Sequence, residues 1–331
     1  MATAIDIHGH AMPMPVLRWL ADSGYADLES MADGIVRIDP MVSGVGPGAP
    51  LPLAPSMTDP GLRLSELDEL GLRAQAISVP PFLMASMCTD EQVVLELTKR
   101  NNDALAEYCS MDSARLLPLG LIAAGWSGAL DEARRCLDDL GMPGLAIGSR
   151  GAGRDLDDPV NEALWRFLSD RQAFVFLHPS AVPDAGRLAQ FWFPQLVGYP
   201  METAIAVARL AFSGTLGDSR ISLCLAHGGG CLPALRGRLD MGWDRKHQAH
   251  TMEQVPSEIF RSLFYDTAVF DPLALRRLVD DVGSAHVLLG TDHPFDLREL
   301  DPLGFIESAG LSEEESRDVL HANAARLLRL N

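Results

Sequence analysis

The chain has 331 residues, 47% of them apolar, and a net charge of −18 at neutral pH. That length and apolar content can fill one barrel-sized core, and the acidity makes a phosphate backbone or an anionic membrane surface a poor partner. A small carboxylate substrate remains compatible, because local arginines can reverse the field inside a cleft.

In chain order, eight short apolar runs read as strands: Ala4–His8, Ala74–Val79, Leu116–Ile122, Gly144–Gly148, Ala173–His178, Ile221–His227, Leu263–Thr267 and His286–Gly290. Most are apolar on both faces, as parallel strands covered by helices are. Helical spacing marks Glu91–Ser110, Ser127–Leu140, Asp158–Ser169, Met201–Ser213 and Pro272–Val282. Asp158 before Pro159 reads as an N-cap with proline at the first helical position. Ser312 and Glu315 stand in capping-box spacing at the head of a C-terminal helix, Ser312–Leu330. The expected fold is a single-domain (β/α)8 TIM barrel over the whole chain.

One segment breaks the rhythm. Asp39–Pro60, after the first strand, is rich in Pro, Gly and Ser and shows no period. It is either a surface excursion or, since loops after barrel strands face the mouth, a lid or pocket wall.

Five cysteines, at 88, 109, 136, 224 and 231, form no Cys-x-x-Cys pair and are odd in number, so reduced thiols are expected. No apolar run reaches the ~18 residues a spanning helix needs, and no basic flank precedes the first strand. The expectation is a soluble, cytoplasmic protein.

His8 and His10 close the first strand in IDIHGH. Residues i and i+2 share one face of a strand, so two imidazoles there can bind one metal. His178 ends FVFLHP, and His227 ends LCLAHGGG, where three glycines permit a tight turn. Asp292 follows the eighth run in VLLGTDHPF. Each alone has an ordinary explanation, as a satisfied core histidine or a turn-capping acid. Together they stand out, because a barrel sends every strand end of this sense to one mouth. His247, His250 and His321 lie in loop or helix segments, His286 opens the eighth strand at the opposite end, and His293 is expected beside Asp292 along the pocket.

The order HxH, H, HGGG, GTDHPF resembles the amidohydrolase superfamily, and within it the branch of the 2-amino-3-carboxymuconate-6-semialdehyde decarboxylases. The likeness runs over nearly the whole chain. It is densest from Trp192 to Leu300, through FWFPQLVGYPMETAIA, LCLAHGGG, RGRLDMGW, FYDTAVFDPLAL and VLLGTDHPF. The resemblance implies one divalent ion, Zn²⁺ or else Mn²⁺, held by His8, His10, His178 and Asp292. His227 becomes the catalytic proton-transfer residue beside Asp292. Arg37 in DGIVRID would hold a substrate carboxylate, Trp192 would pack near the substrate, and Arg238 in RGRLD would reach in from the neighbouring subunit of a homodimer. Each also has a plainer reading: a solvated loop arginine, a core tryptophan, and an arginine paired with Asp240 or Asp244 of its own subunit. Binuclear members carry a lysine after the fourth strand. Here that stretch is GLAIGSRG, so one metal is expected.

The implied reaction is nonoxidative decarboxylation of a muconate-semialdehyde-like or aromatic carboxylic acid. A hydrolase of a carbon–carbon bond, lactone or amide would use the same parts. A noncatalytic barrel would lack one of the five strand-end residues, and none is missing. Two departures concern the pocket wall: Ser180 and Ala181 stand where the branch carries Trp-Asp, and Met57 and Thr58 stand where a tryptophan precedes the Asp-Pro of the first helix.

Overall fold

Runs that are apolar on both sides satisfy their backbone groups by pairing with like runs under a cover of helices. A computed structural model describes residues 3–217 and 219–330, and in it all eight runs pair in parallel. They are β1 (Ala4–His10), β2 (Leu72–Ser78), β3 (Leu116–Ile122), β4 (Gly144–Gly148), β5 (Phe174–His178), β6 (Ser222–Leu225), β7 (Phe264–Asp266) and β8 (Val287–Leu288). They lie side by side in chain order. The row closes where the Ile7 amide donates to the Leu289 carbonyl at 2.8 Å and Gly9 bridges His293. The architecture is the expected barrel.

Side chains alternate along the strands. Ile5, Ile7, Ala76, Leu119, Phe176 and Cys224 fill the interior, while Val175, Leu177, Leu223 and Leu225 pack outward beneath the helices. Ala324 and Leu328 of the C-terminal segment join the interior cluster.

Asp-Pro is a recurrent start signal. Asp39, Asp59, Asp158, Asp271 and Asp301 each accept a backbone N–H of the turn they open, and each is followed by a proline whose missing N–H costs nothing there. The capping box of Ser312 and Glu315 is formed. The continuous helix expected behind it is not. A wider turn at Asp318–Ala322 separates Glu313–Arg317 from Asn323–Leu327, and the Val319 carbonyl in that turn accepts the Leu289 amide at 2.9 Å. A similar turn, Arg135–Asp139, follows the helix Ala129–Arg134.

The Asp39–Pro60 segment is folded. It holds one helical turn, Pro40–Ser43, and the strand Leu51–Pro52, which pairs antiparallel with Ile35–Ile38. Val42, Leu51, Leu53 and Met57 are buried with Val16, Leu17 and Leu20 in a small core of their own. Among the described residues no helix is long and apolar enough to cross a membrane.

Candidate metal centre

Regular alternation from Ile5 and Ile7, both interior, would send His8 outward. The register of β1 against β2 shifts between Asp6 and Gly9, and this resets the phase. The His8 ring then stands 4.8 Å from the interior Phe176 ring and 5.0 Å from that of His10. Gly9 permits the shift, because a Cβ there would lie 2.4 Å from the Gln75 side chain.

Three rings are fixed from behind. His8 Nδ1 meets Asp266 Oδ2 at 2.6 Å, His10 Nδ1 faces the Val79 carbonyl at 3.3 Å, and His178 Nδ1 faces the Pro179 carbonyl at 2.8 Å. Each Nε2 is thereby left for the centre. His8 Nε2 and His10 Nε2 are 3.1 Å apart, and each lies 3.2 Å from Asp292 Oδ1. The His178 ring is 5.0 Å from that of His10 and 5.2 Å from that of His8. His178 Nε2 and Asp292 Oδ1 are buried with no hydrogen-bond partner, a rarity in folded proteins and the opening a cation would fill. Nitrogen donors from imidazoles with one carboxylate fit a single divalent ion.

The electrostatics agree. Burial disfavours a charged His8, yet Asp292 and Asp266 beside it overcome this and raise its pKa to about 10. Burial lowers His10 to about 4 and drives His178 well below its ordinary value. Burial also works against the Asp292 carboxylate, but His8, His10 and His227 hold its pKa well below the usual range. The centre is therefore anionic at its oxygen and calls for a balancing positive charge, which a proton or a cation supplies.

His227 approaches from the other side. Its Nε2 lies 3.5 Å from Asp292 Oδ2, whereas His8 and His10 face Oδ1. His227, His8, His178 and Asp292 offer ligand atoms within 4.8 Å of one another. His227 and Asp292 have φ of 57° and 66°, a left-handed backbone unusual for residues with side chains and concentrated at functional sites. At Gly230 a Cβ would sit 2.2 Å from the Pro200 carbonyl oxygen, so the glycine run permits this close approach.

Two supports of the site were not singled out from the sequence. Asp266 ends β7 and also accepts the Gly228 amide at 2.8 Å, tying the His227 turn to His8. The strand-end logic that singled out the histidines applies equally to it. Replacing Asp266 with Asn puts a possible donor against His8 Nδ1 and loosens its tautomer. Metal affinity is expected to fall by about 10–100-fold, measured by competition with a chelating dye.

The other support is Arg63, which is wholly buried. It donates to Gln75 Oε1 at 2.8 Å and to the His10 carbonyl, and it pairs with His293 Nδ1 at 2.9 Å. Gln75 in turn donates to Asp6 Oδ2 at 2.6 Å. His293, expected along the pocket, is instead buried in this network, with Nε2 3.1 Å from Glu66.

Above the centre opens a cavity of about 490 Å³, reached by His178, His227 and Asp292. Its size suits a small molecule, typically about 300–1,000 Å³. Phe82, Phe270, Phe295 and Trp192 form its aromatic walls, and Val45, Pro50, Leu51 and Pro52 of the folded excursion form another. Trp192 is 62% exposed at this mouth, so it is not core. Arg37 does not line the cavity; it donates to Ser30 Oγ at 2.9 Å. Arg238 lies exposed on the helix Leu232–Arg245, and neither nearby acid takes it. Asp240 accepts the Ser257 amide at 2.9 Å, and Asp244 lies 3.7 Å from Arg245.

A parallel barrel with a buried histidine–aspartate centre at the C-terminal mouth defines a metal-dependent barrel enzyme. Residues 5–330 match the Amidohydrolase family model, and the chain belongs to that family. Among curated relatives, 2-amino-3-carboxymuconate-6-semialdehyde decarboxylase of Dictyostelium discoideum is 34% identical over 278 residues, covering 82% of this chain and 77% of that one. Among solved structures, 5-carboxyvanillate decarboxylase from Sphingomonas paucimobilis superposes with a TM-score of 0.81 at 23% identity over the full length of both chains. Dihydroxybenzoic acid decarboxylase from Polaromonas sp. JS666, with bound manganese, gives 0.80 at 20% identity, covering 100% of this chain and 98% of that one. These two likenesses concern the fold.

Proposed function

We propose that this chain is a metal-dependent, nonoxidative decarboxylase of an aromatic or muconate-semialdehyde-like carboxylic acid. One observation carries the reading: three buried imidazoles and Asp292 Oδ1 converge on one point, with His227 set against the other oxygen of the same carboxylate. The 34% identity to a named decarboxylase supports it.

His8, His10, His178 and Asp292 would hold the ion, and Zn²⁺ suits that donor set better than Mn²⁺. A bound divalent ion supplies Lewis-acid stabilisation of negative charge at the reacting group. Asp292 Oδ2 orients His227, whose imidazole delivers a proton to the substrate carbon. As that bond forms, the bond to the carboxylate carbon breaks and CO₂ leaves. The electron pair left on the substrate carbon, delocalised into the ring or an unsaturated carbonyl, takes up the proton, so no water is consumed. The aromatic walls exclude solvent from this exchange. The Asp39–Pro60 excursion serves as a pocket wall and lid.

Incubating the metal-loaded protein with candidate acids in ¹⁸O-water should release CO₂ and a product free of label. Incorporation of ¹⁸O into a product carboxylate would mark the hydrolase instead.

The assembly proposed is a homodimer. Phe191, Phe193, Leu196, Met201, Ile205 and Leu235, the last on the same helix as Arg238, leave large apolar side chains exposed, which calls for a partner. Light scattering should give twice the 35.8 kDa of one chain. Arg238→Ala should keep that mass and raise KM about tenfold or more, the loss of a charge-assisted hydrogen bond to substrate. Five free thiols suit a reducing compartment, here taken as the cytoplasm.

A further inference from the structure

We infer that the substrate carries a single carboxylate on an otherwise uncharged, largely apolar body, and that the site discriminates against a second carboxylate. The inference rests on the reading of the site as one that acts on carboxylic acids, and it narrows that class by charge.

The argument starts from the cavity walls. Among the described residues that line it there is no arginine or lysine, and its carboxylates are Asp292 at the floor and Asp296 at the rim. Gln195 and Tyr199 on the walls match a hydroxyl or carbonyl better than a charge. None of Arg37, Arg63 and Arg298 lines the cavity. Arg37 donates to Ser30 Oγ, Arg63 is sealed in its own network, and Arg298 donates to the Pro294 and Phe295 carbonyls at 3.2 and 2.6 Å.

The positive charge that remains lies at the floor, where the bound ion and the proton-donating His227 flank Asp292, and on Arg238 of a partner subunit; the walls above carry none. A second carboxylate on the substrate would leave water for a wall of Phe82, Phe270, Phe295 and Leu297, with an aspartate as its nearest charge. Burying an ion without a partner is unfavourable, and the net charge of −18 opposes a dianion before contact. The same walls reward an uncharged ring or alkyl substituent.

Salicylate and 2-hydroxyisophthalate share one ring and differ by one carboxylate. Isothermal titration of each into the metal-loaded dimer should show salicylate binding at least about tenfold tighter, a difference of 1.4 kcal/mol. Leu297 lines the rim and is 42% exposed, so a long charged side chain fits there without disturbing the core. Leu297→Arg should narrow or reverse the preference by improving the dicarboxylate alone. Equal or tighter binding of 2-hydroxyisophthalate to the unmodified protein overturns the inference and leaves the carboxylic-acid reading standing. A preference that Leu297→Arg does not alter traces it to size rather than charge and also overturns the inference. Binding of neither ligand, with one metal per chain verified, overturns the reading on which it rests.

Discussion

Replacing His227 with Asn is expected to lower kcat by about 10²–10⁴-fold, the range for a lost general acid or base, while the protein still takes up one metal ion per chain. The basis is the division of labour around Asp292. Its Oδ1 lies 3.2 Å from both His8 and His10, and its Oδ2 lies 3.5 Å from His227. Asn keeps polarity at the position and removes the titratable nitrogen. The matched substitution His10→Asn should abolish both activity and tight metal uptake. Elemental analysis beside single-turnover kinetics separates the two. Since His227 also offers an atom within 4.8 Å of His8, His178 and Asp292, the opposite pattern, metal lost with His227→Asn and kept with His10→Asn, would exchange their roles.

The second large effect is expected at Arg63, which does not line the cavity. Arg63→Met should destabilise the fold by about 3–5 kcal/mol, as breaking a buried ionic network does. It should also weaken metal binding. The guanidinium joins Gln75 of β2, His293 beyond β8 and the His10 carbonyl at the end of β1. Methionine fills much of the volume but leaves those acceptors buried without a donor. Lysine should not rescue it, because one ammonium cannot reproduce the planar fork. Thermal unfolding with and without added metal measures both parts. A shift in melting temperature of less than a few degrees would show that the network is not central to the strand ends.

Much of the centre is legible before any folding is known. His8, His10, His178, His227 and Asp292 declare themselves because each follows an apolar run, and a parallel barrel collects such positions at one mouth. Asp266 obeys the same rule but sits in FYDTAVFD beside a second aspartate, so its role awaited the 2.6 Å contact with His8. Arg63 left a fainter trace, a charge four residues before the buried Leu67 on one helix face.

The amino-acid order by itself determined the number and sequence of the barrel strands, the Asp-Pro helix starts, the capping box at Ser312 and the set of groups that gather at the mouth. These are local: a period, a cap or a strand end needs only neighbouring residues. The tertiary structure alone decided that a register shift turns His8 inward, that Arg37 faces Ser30, that His293 is sealed behind the site, and that the excursion at 39–60 folds into a cavity wall. Those outcomes depend on pairings such as Arg63 with His293, 230 positions apart. No local pattern encodes how distant strands register or which side chain fills the space between them.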